Sequence, residues 1–189
     1  KLSEKIMKEM RNEFEYFYPV DFRNSGKDLV QNHLTYFLFH HVAMWGNSKY
    51  WPKAIAANGF VNVAGQKMAK SLGNFIPLKN LIEEHGADVV RINIVSSNEN
   101  MDDANWREEN VQSFASRLLF LTDLVKGMKK AGRTSTTNVD NYLQSRVQKL
   151  IGETTENFEA TKFRSGTQVG FFNLINELKW YVDRNGGVR

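Results

Sequence analysis

Between Leu29 and Trp45 apolar side chains fall almost all round a helical wheel, so a helix here has almost no solvent face and must lie between a sheet and other helices. Ahead of it, Tyr18 to Phe22 reads as a short strand, and Ser25-Gly26-Lys27-Asp28 reads as a glycine-containing turn. A strand, a turn and a helix covered on all sides make an α/β unit. The run does not read as a membrane span. Its most apolar part, Thr35 to Trp45, falls short of the roughly 18 apolar residues a span needs and carries His40 and His41.

Around this unit the pattern alternates between helix and punctuation. Leu2, Ile6, Met10, Phe14 and Phe17 recur at helical spacing, and that helix must end near Pro19. Pro52 to Val63 predicts one or two strands, punctuated by Gly59 and by Gly65 just beyond, and Gly65 to Asn74 is a polar loop. Helices follow over Leu78–Glu84 and Ala87–Val95, with His85-Gly86 as the C-cap between them. Ser96 to Asn105, polar and acidic, is the best domain boundary. Beyond it Trp106–Lys130, Val139–Phe158 and Phe163–Tyr181 are long helical patterns, separated by Ala131 to Ser135 and by a turn around Thr161. They predict an antiparallel helical bundle, giving an α/β plus all-α chain.

Composition enters as exclusion. With no cysteine, disulfide frameworks, thiolate zinc sites, redox dithiols and thiol nucleophiles are ruled out, and a reducing, cytoplasmic address is expected. The first residue is Lys1, and the opening stretch has neither a signal-peptide core nor a transit-peptide composition, so something upstream is expected to have been cut away. Net charge is +4, distributed unevenly: residues 1–125 hold 14 Lys and Arg against 15 Asp and Glu, whereas residues 126–189 hold 11 against 6. Lys126, Lys129, Lys130 and Arg133 make the C-terminal part the candidate polyanion surface, with a plain solvated face as the alternative.

The sharpest chemical feature is the loop Gly65-Gln66-Lys67-Met68-Ala69-Lys70-Ser71-Leu72-Gly73-Asn74. Glycines let the backbone approach a ligand, and two ammonium groups three residues apart can neutralise a polyphosphate and meet charge on a departing pyrophosphate. An exposed basic turn satisfies the same spacing. In the turn before Leu29, Asp28 can accept from ribose hydroxyls, and it is equally well placed as the N-cap of the following helix. Gly26-Lys27 is not a P-loop, since the required spacing and the following hydroxyl are missing. His33, His40 and His41 lack metal-site spacing, and no metal site is expected. No hydrolase triad or paired-carboxylate spacing stands out.

Tyr18-Pro19-Val20-Asp21-Phe22-Arg23-Asn24-Ser25-Gly26-Lys27-Asp28-Leu29, followed by Asn32-His33-Leu34, resembles the ribose-site stretch of the class I aminoacyl-tRNA synthetases, in the form carried by leucyl-tRNA synthetases of archaeal and eukaryotic cytosolic type. Asn58-Gly59-Phe60 through Gly65 to Ser71 resembles the signature loop of that class, written KMSKS, with Ala69 in place of the common Ser. Glu83 to Arg91 and the acidic run ending at Trp106-Arg107 resemble the family's passage into its helical tRNA-binding domain. The other class signature, HIGH, does not occur among these residues, so the chain is expected to be a C-terminal piece.

The resemblance implies an incomplete Rossmann-type half-domain over residues 1–104 and a helical anticodon-binding-type bundle over 105–189. It further implies ATP-dependent activation of leucine and ligation to tRNA(Leu), with ATP as substrate and Mg2+ accompanying it. Gly26 and Asp28 would hold the ribose, Met68 would lie near the adenine, and Lys67 and Lys70 would stabilise the triphosphate as pyrophosphate leaves. His33, Asn58, Gly59 and Ser71 complete the implied ATP contacts. Arg107, Lys126, Lys129, Lys130 and Arg133 are the implied tRNA contacts. The implied partners are tRNA(Leu), leucine, ATP and the missing N-terminal part of the same protein, with no membrane. A non-catalytic RNA- or partner-binding module built on the same framework is the alternative.

Overall fold

A computed structural model describes residues 2–128 and 135–185. The chain divides into two compact units, Lys1–Phe60 and Val61–Arg189, and the described residues are mostly helical with two small sheets.

In the first unit, helix α1 (Glu4–Phe17) starts at Ser3, whose hydroxyl accepts the Ile6 N–H at 3.3 Å. It stops before Tyr18 because a residue preceding proline is pushed out of the α region. Tyr18 then anchors an aromatic cluster: its ring stacks on Phe14 at 4.8 Å, and its hydroxyl accepts from Trp45 Nε1 at 2.9 Å. The expected strand at Tyr18–Phe22 lies later in the chain, at β1 (Arg23–Gly26), since Tyr18 is committed to that cluster and Pro19 has no N–H to give a ladder. β1 pairs in parallel with β2 (Ile55–Asn58), from Arg23 opposite Ile55 to Gly26 opposite Asn58.

The single buried helix expected over Leu29–Trp45 is corrected on two counts. The segment runs as a 3₁₀ turn (Lys27–Leu29), a π-helical turn (Val30–Leu34) and helix α2 (Thr35–Met44). The Thr35 hydroxyl donates to the Val30 carbonyl at 2.7 Å, closing the wide turn. Only Leu34 is buried, while Tyr36, Phe39 and Met44 are 62%, 65% and 68% exposed. A sheet of two four-residue strands is too narrow to cover a helix that is apolar on all sides.

In the second unit, β3 (Val61–Val63) pairs antiparallel with β4 (Gln66–Lys67) and parallel with β5 (Ala104–Trp106). Trp106, expected to open a helix, ends β5 instead; helix α5 (Glu108–Met128) begins two residues later. Helices α3 (Leu78–His85) and α4 (Ala87–Val95) meet at Gly86, whose φ of 81° makes the corner. Leu81, Val89, Val90, Trp106 and Val111 form the core between these helices and the sheet. Trp106 is 2% exposed. Its indole N–H donates to Glu108 Oε2 at 3.1 Å, and Glu108 Oε1 lies 3.2 Å from His85 Nε2.

Helix α6 (Asn138–Glu159) opens with a Thr137–Asp140 capping box. After a turn at Thr161, with φ of 57°, the chain returns through α7 (Phe163–Thr167), a π-helical turn (Gln168–Asn173) and α8 (Leu174–Asn185). Asp140 accepts from Tyr181 at 2.7 Å, Arg146 is 2.7 Å from Glu177, and Thr154 faces Gly170, so the two arms run antiparallel. The hydrogen bond and charge of Glu177 raise the already high pKa of Arg146. Phe114 and Phe120 of α5 meet the returning arm at Phe172 and Lys179. Among the described residues no strand follows Trp106, and no helix is long and apolar enough to cross a membrane.

Candidate functional site

In the first unit the register of the parallel pair decides what comes together. Gly26 and Asn58 are partners at the carboxyl ends of β1 and β2, the edge where open α/β sheets present ligand-binding turns. Asp28 follows in the turn, exposed, and a Cβ at Gly26 would stand 2.6 Å from its Oδ1. The glycine therefore makes room for the carboxylate. Asp28 lies inside the 3₁₀ turn, whose N-cap is Gly26, and the next turn is capped at Leu29, so the N-cap role open to Asp28 in the sequence is not the one it takes. Asn58 Nδ2 donates to the carbonyl of buried Gly59 at 2.8 Å. Lys27 Nζ sits 5.1 Å from the Phe60 ring centroid. His33 is exposed on the π-helical turn, its N–H received by the Asn32 side chain.

In the second unit the basic loop leaves a tight hairpin. Ala64 and Gly65, with φ of 49° and 79°, form the two-residue turn between β3 and β4, and both need the left-handed region. The Gly65 N–H donates to Asn105 Oδ1 at 2.8 Å, which pins the turn to β5. The chain then passes Lys67 and Met68 into a 3₁₀ turn over Lys70–Leu72, ended by Gly73 at φ 68°. Asn74 bridges the neck: its Oδ1 accepts from the Ala69 N–H at 2.8 Å and its Nδ2 donates to the Lys67 carbonyl at 3.0 Å. Lys67, Lys70 and Ser71 are exposed, Met68 is half-buried, and Lys70 Nζ rests 5.4 Å from the Phe75 ring centroid. The loop expected over Gly65–Asn74 is therefore held at both ends.

The structure thus gathers Gly26, Asp28, Asn58 and Gly59 in one unit, with His33 further along the same connection, and Lys67, Met68, Lys70 and Ser71 in the other. Arg107 pairs with Glu109 at 3.4 Å, beside a groove of about 410 Å³ lined by Ala64, Gly65, Asn105, Arg107, Glu108 and Glu109. Lys126 is 3.7 Å from Asp123. Lys129, Lys130 and Arg133 lie outside the described residues. Asn105 escaped the sequence reading in this role. Nothing local marks Asn105, whose partner is 40 residues away, whereas Asn74 stands next to a glycine at the end of a basic loop, where a side-chain amide often bonds nearby backbone.

The family profile described as tRNA synthetases class I (I, L, M and V) matches residues 3–107. The leucine–tRNA ligase of Archaeoglobus fulgidus is 42% identical over 98% of this chain, which covers 20% of that protein. The leucine–tRNA ligase of Pyrococcus horikoshii is 41% identical over 96% of the chain, covering 19% of its own length. The chain thus spans about a fifth of the curated relatives it matches. Among solved structures, an Agrobacterium radiobacter LeuRS–tRNA–LeuAMS ternary complex aligns over 87% of this chain and 23% of its own, with a TM-score of 0.71 at 22% identity. Mycobacterium tuberculosis methionyl-tRNA synthetase bound by methionyl-adenylate aligns over 92% and 35%, with a TM-score of 0.73 at 19% identity. At those identities the two structures speak to the fold alone, which is that of the class I synthetases.

Proposed function

This chain belongs to the class I tRNA synthetases (I, L, M and V), and from that premise we propose that it is a piece of a cytoplasmic leucine–tRNA ligase, supplying the ribose-site and KMSKS-type half of the ATP site. The observation that carries the leucine assignment is the likeness to leucine–tRNA ligases along nearly the whole chain, ribose stretch and basic loop included. Residues 1–104 belong to an incomplete Rossmann-type catalytic domain, and residues 105–189 to an antiparallel helical bundle that meets tRNA(Leu). The rest of the same protein is the partner that completes the site.

The chemistry asked of these residues is positioning and charge stabilisation. A carboxylate oxygen of leucine attacks the α-phosphorus of ATP, the bond to the bridging oxygen breaks, and pyrophosphate leaves with the negative charge. Asp28 accepts from ribose hydroxyls in the space that Gly26 leaves open, and Asn58 and Gly59 line the same strand ends. Met68 lies near the adenine. Lys67 and Lys70 meet the growing charge on pyrophosphate, Ser71 and His33 add polar contacts, and Mg2+, where bound with the triphosphate, would neutralise part of its charge. No side-chain nucleophile is needed. Ala69 in place of serine is compatible with this reading, because the loop is held through its backbone N–H rather than through the hydroxyl a serine would bring.

The test is amino-acid-dependent exchange of pyrophosphate into ATP by the full-length protein. Exchange with leucine well above that with isoleucine, valine or methionine is expected. Equal exchange with the other amino acids would overturn the leucine assignment, and absent exchange would turn the reading to a binding module.

A further inference from the structure

We propose that Asn74 is the positioning residue of the basic loop, its side-chain amide setting the backbone from which Lys67 and Lys70 reach the phosphates. The proposal rests on the reading of that loop as the pyrophosphate-stabilising element.

The geometry is that of a staple across a neck. One face of the carboxamide accepts from Ala69 N–H at 2.8 Å, and the other donates to the Lys67 carbonyl at 3.0 Å. These two bonds hold the peptide groups on either side of Met68. Ala69 is also the residue whose carbonyl begins the 3₁₀ turn, accepting from Leu72 N–H at 3.1 Å. Fixing Ala69 therefore fixes the start of the turn that carries Lys70. The chain can double back to place Asn74 there because Gly73 takes a left-handed φ of 68°.

A carboxamide is the short side chain that offers one acceptor and one donor together. Aspartate keeps the acceptor for Ala69 but cannot donate, and it sets a carboxylate against the Lys67 carbonyl. Alanine loses both bonds. Either change lets the two ammonium groups wander, and a displacement of about 1 Å in a positioned group can cost on the order of 10²-fold in rate. Asn74 itself is half-buried beneath the neck and acts only through the lysines.

The experiment measures single-turnover adenylate formation in the full-length protein for Asn74→Ala, Asn74→Asp, Lys70→Ala and the Asn74→Ala/Lys70→Ala double variant, with leucine affinity and melting temperature followed alongside. Asn74→Ala is expected to slow adenylation by about 10- to 100-fold with leucine affinity unchanged. The double variant is expected to fall well short of the product of the two single losses, because with Lys70 gone Asn74 has only Lys67 left to place. Should Asn74→Ala fail to fold, Asn74→Asp, which keeps the side-chain volume, carries the same comparison. An Asn74 variant within about threefold of the parent rate, or a double variant in which the two losses multiply, overturns the proposal. If Lys70→Ala is itself without effect, the reading of the loop falls and the proposal falls with it. A slow Lys70→Ala beside a normal Asn74→Ala sinks only the role of Asn74.

Discussion

Glu99 caps the first turn of α7, in which Ser165 lies 66 residues later: its Oε2 accepts the Ser165 N–H at 3.0 Å and the Ser165 hydroxyl at 2.6 Å, while Oε1 accepts the Arg164 N–H at 3.2 Å. These are amide groups of the first turn of α7, which has no capping side chain of its own at Lys162. A carboxylate at a helix N-terminus stabilises by about 1–2 kcal/mol through its bonds and the helix dipole. Glu99→Ala is expected to release that end locally. Amide exchange at Arg164 and Ser165 in the full-length protein should quicken by roughly tenfold; unchanged protection there would mean that solvent replaces the carboxylate at no cost.

The loop chemistry is tested most directly at Lys70. Removing one preorganised charged donor costs roughly 10²–10³ in rate, or about 3–4 kcal/mol, when the charge it meets develops only in the transition state. Lys70→Ala is therefore expected to slow leucyl-adenylate formation by that factor and leave leucine affinity in place. Single-turnover rates with separately measured leucine binding separate the cases. A fall below about threefold returns the loop to an exposed basic turn.

Gly26 carries a steric prediction. A Cβ there would stand 2.6 Å from Asp28 Oδ1, so Gly26→Ala must move the carboxylate. A hydrogen bond to a charged acceptor is worth about 1.5–3 kcal/mol, so the KM for ATP should rise by roughly 10- to 100-fold. Asp28→Asn should weaken ATP in the same direction, and leucine affinity should not follow. A Gly26→Ala enzyme with unaltered KM for ATP would place the ribose elsewhere.

The chain of 189 residues by itself is expected to run no leucine-dependent pyrophosphate exchange, because the HIGH element of the class is not among its residues. Exchange by the purified chain above background would show that it holds a whole site rather than half of one.

Local features of this fold were legible and long-range ones were not. The Gly65–Asn74 loop, the Gly86 corner and the periodicity of α6 each depend on neighbours within a turn or two, and each can be read from the sequence. Leu29–Trp45 was misread for a physical reason: apolarity all round says that a helix can be covered, not that the residues at hand suffice to cover it. Trp106 looked helical beside α5, yet a three-residue strand is too short to show an alternating pattern. Asn105 on Gly65 and Glu99 on Ser165 span 40 and 66 residues, and polar pairs at such distances leave no periodic trace. For the site, the strand-end glycine and the paired lysines were visible as residue types. The partners of Asn74 across the neck were not, because the bridge exists only once Gly73 has reversed the chain.

The parallel pairing of β1 with β2 has a practical side. Among the described residues that sheet has two strands, so each turns one row of backbone donors and acceptors away from its partner. Close by in sequence, α2 bares Tyr36, Phe39 and Met44. Open strand margins next to greasy side chains are templates for stacking one molecule on the next. A concentrated sample of this chain is therefore expected to scatter light, and charged substitutions on α2 are the remedy that leaves the Gly26–Asp28 turn and the Lys67–Ser71 loop untouched.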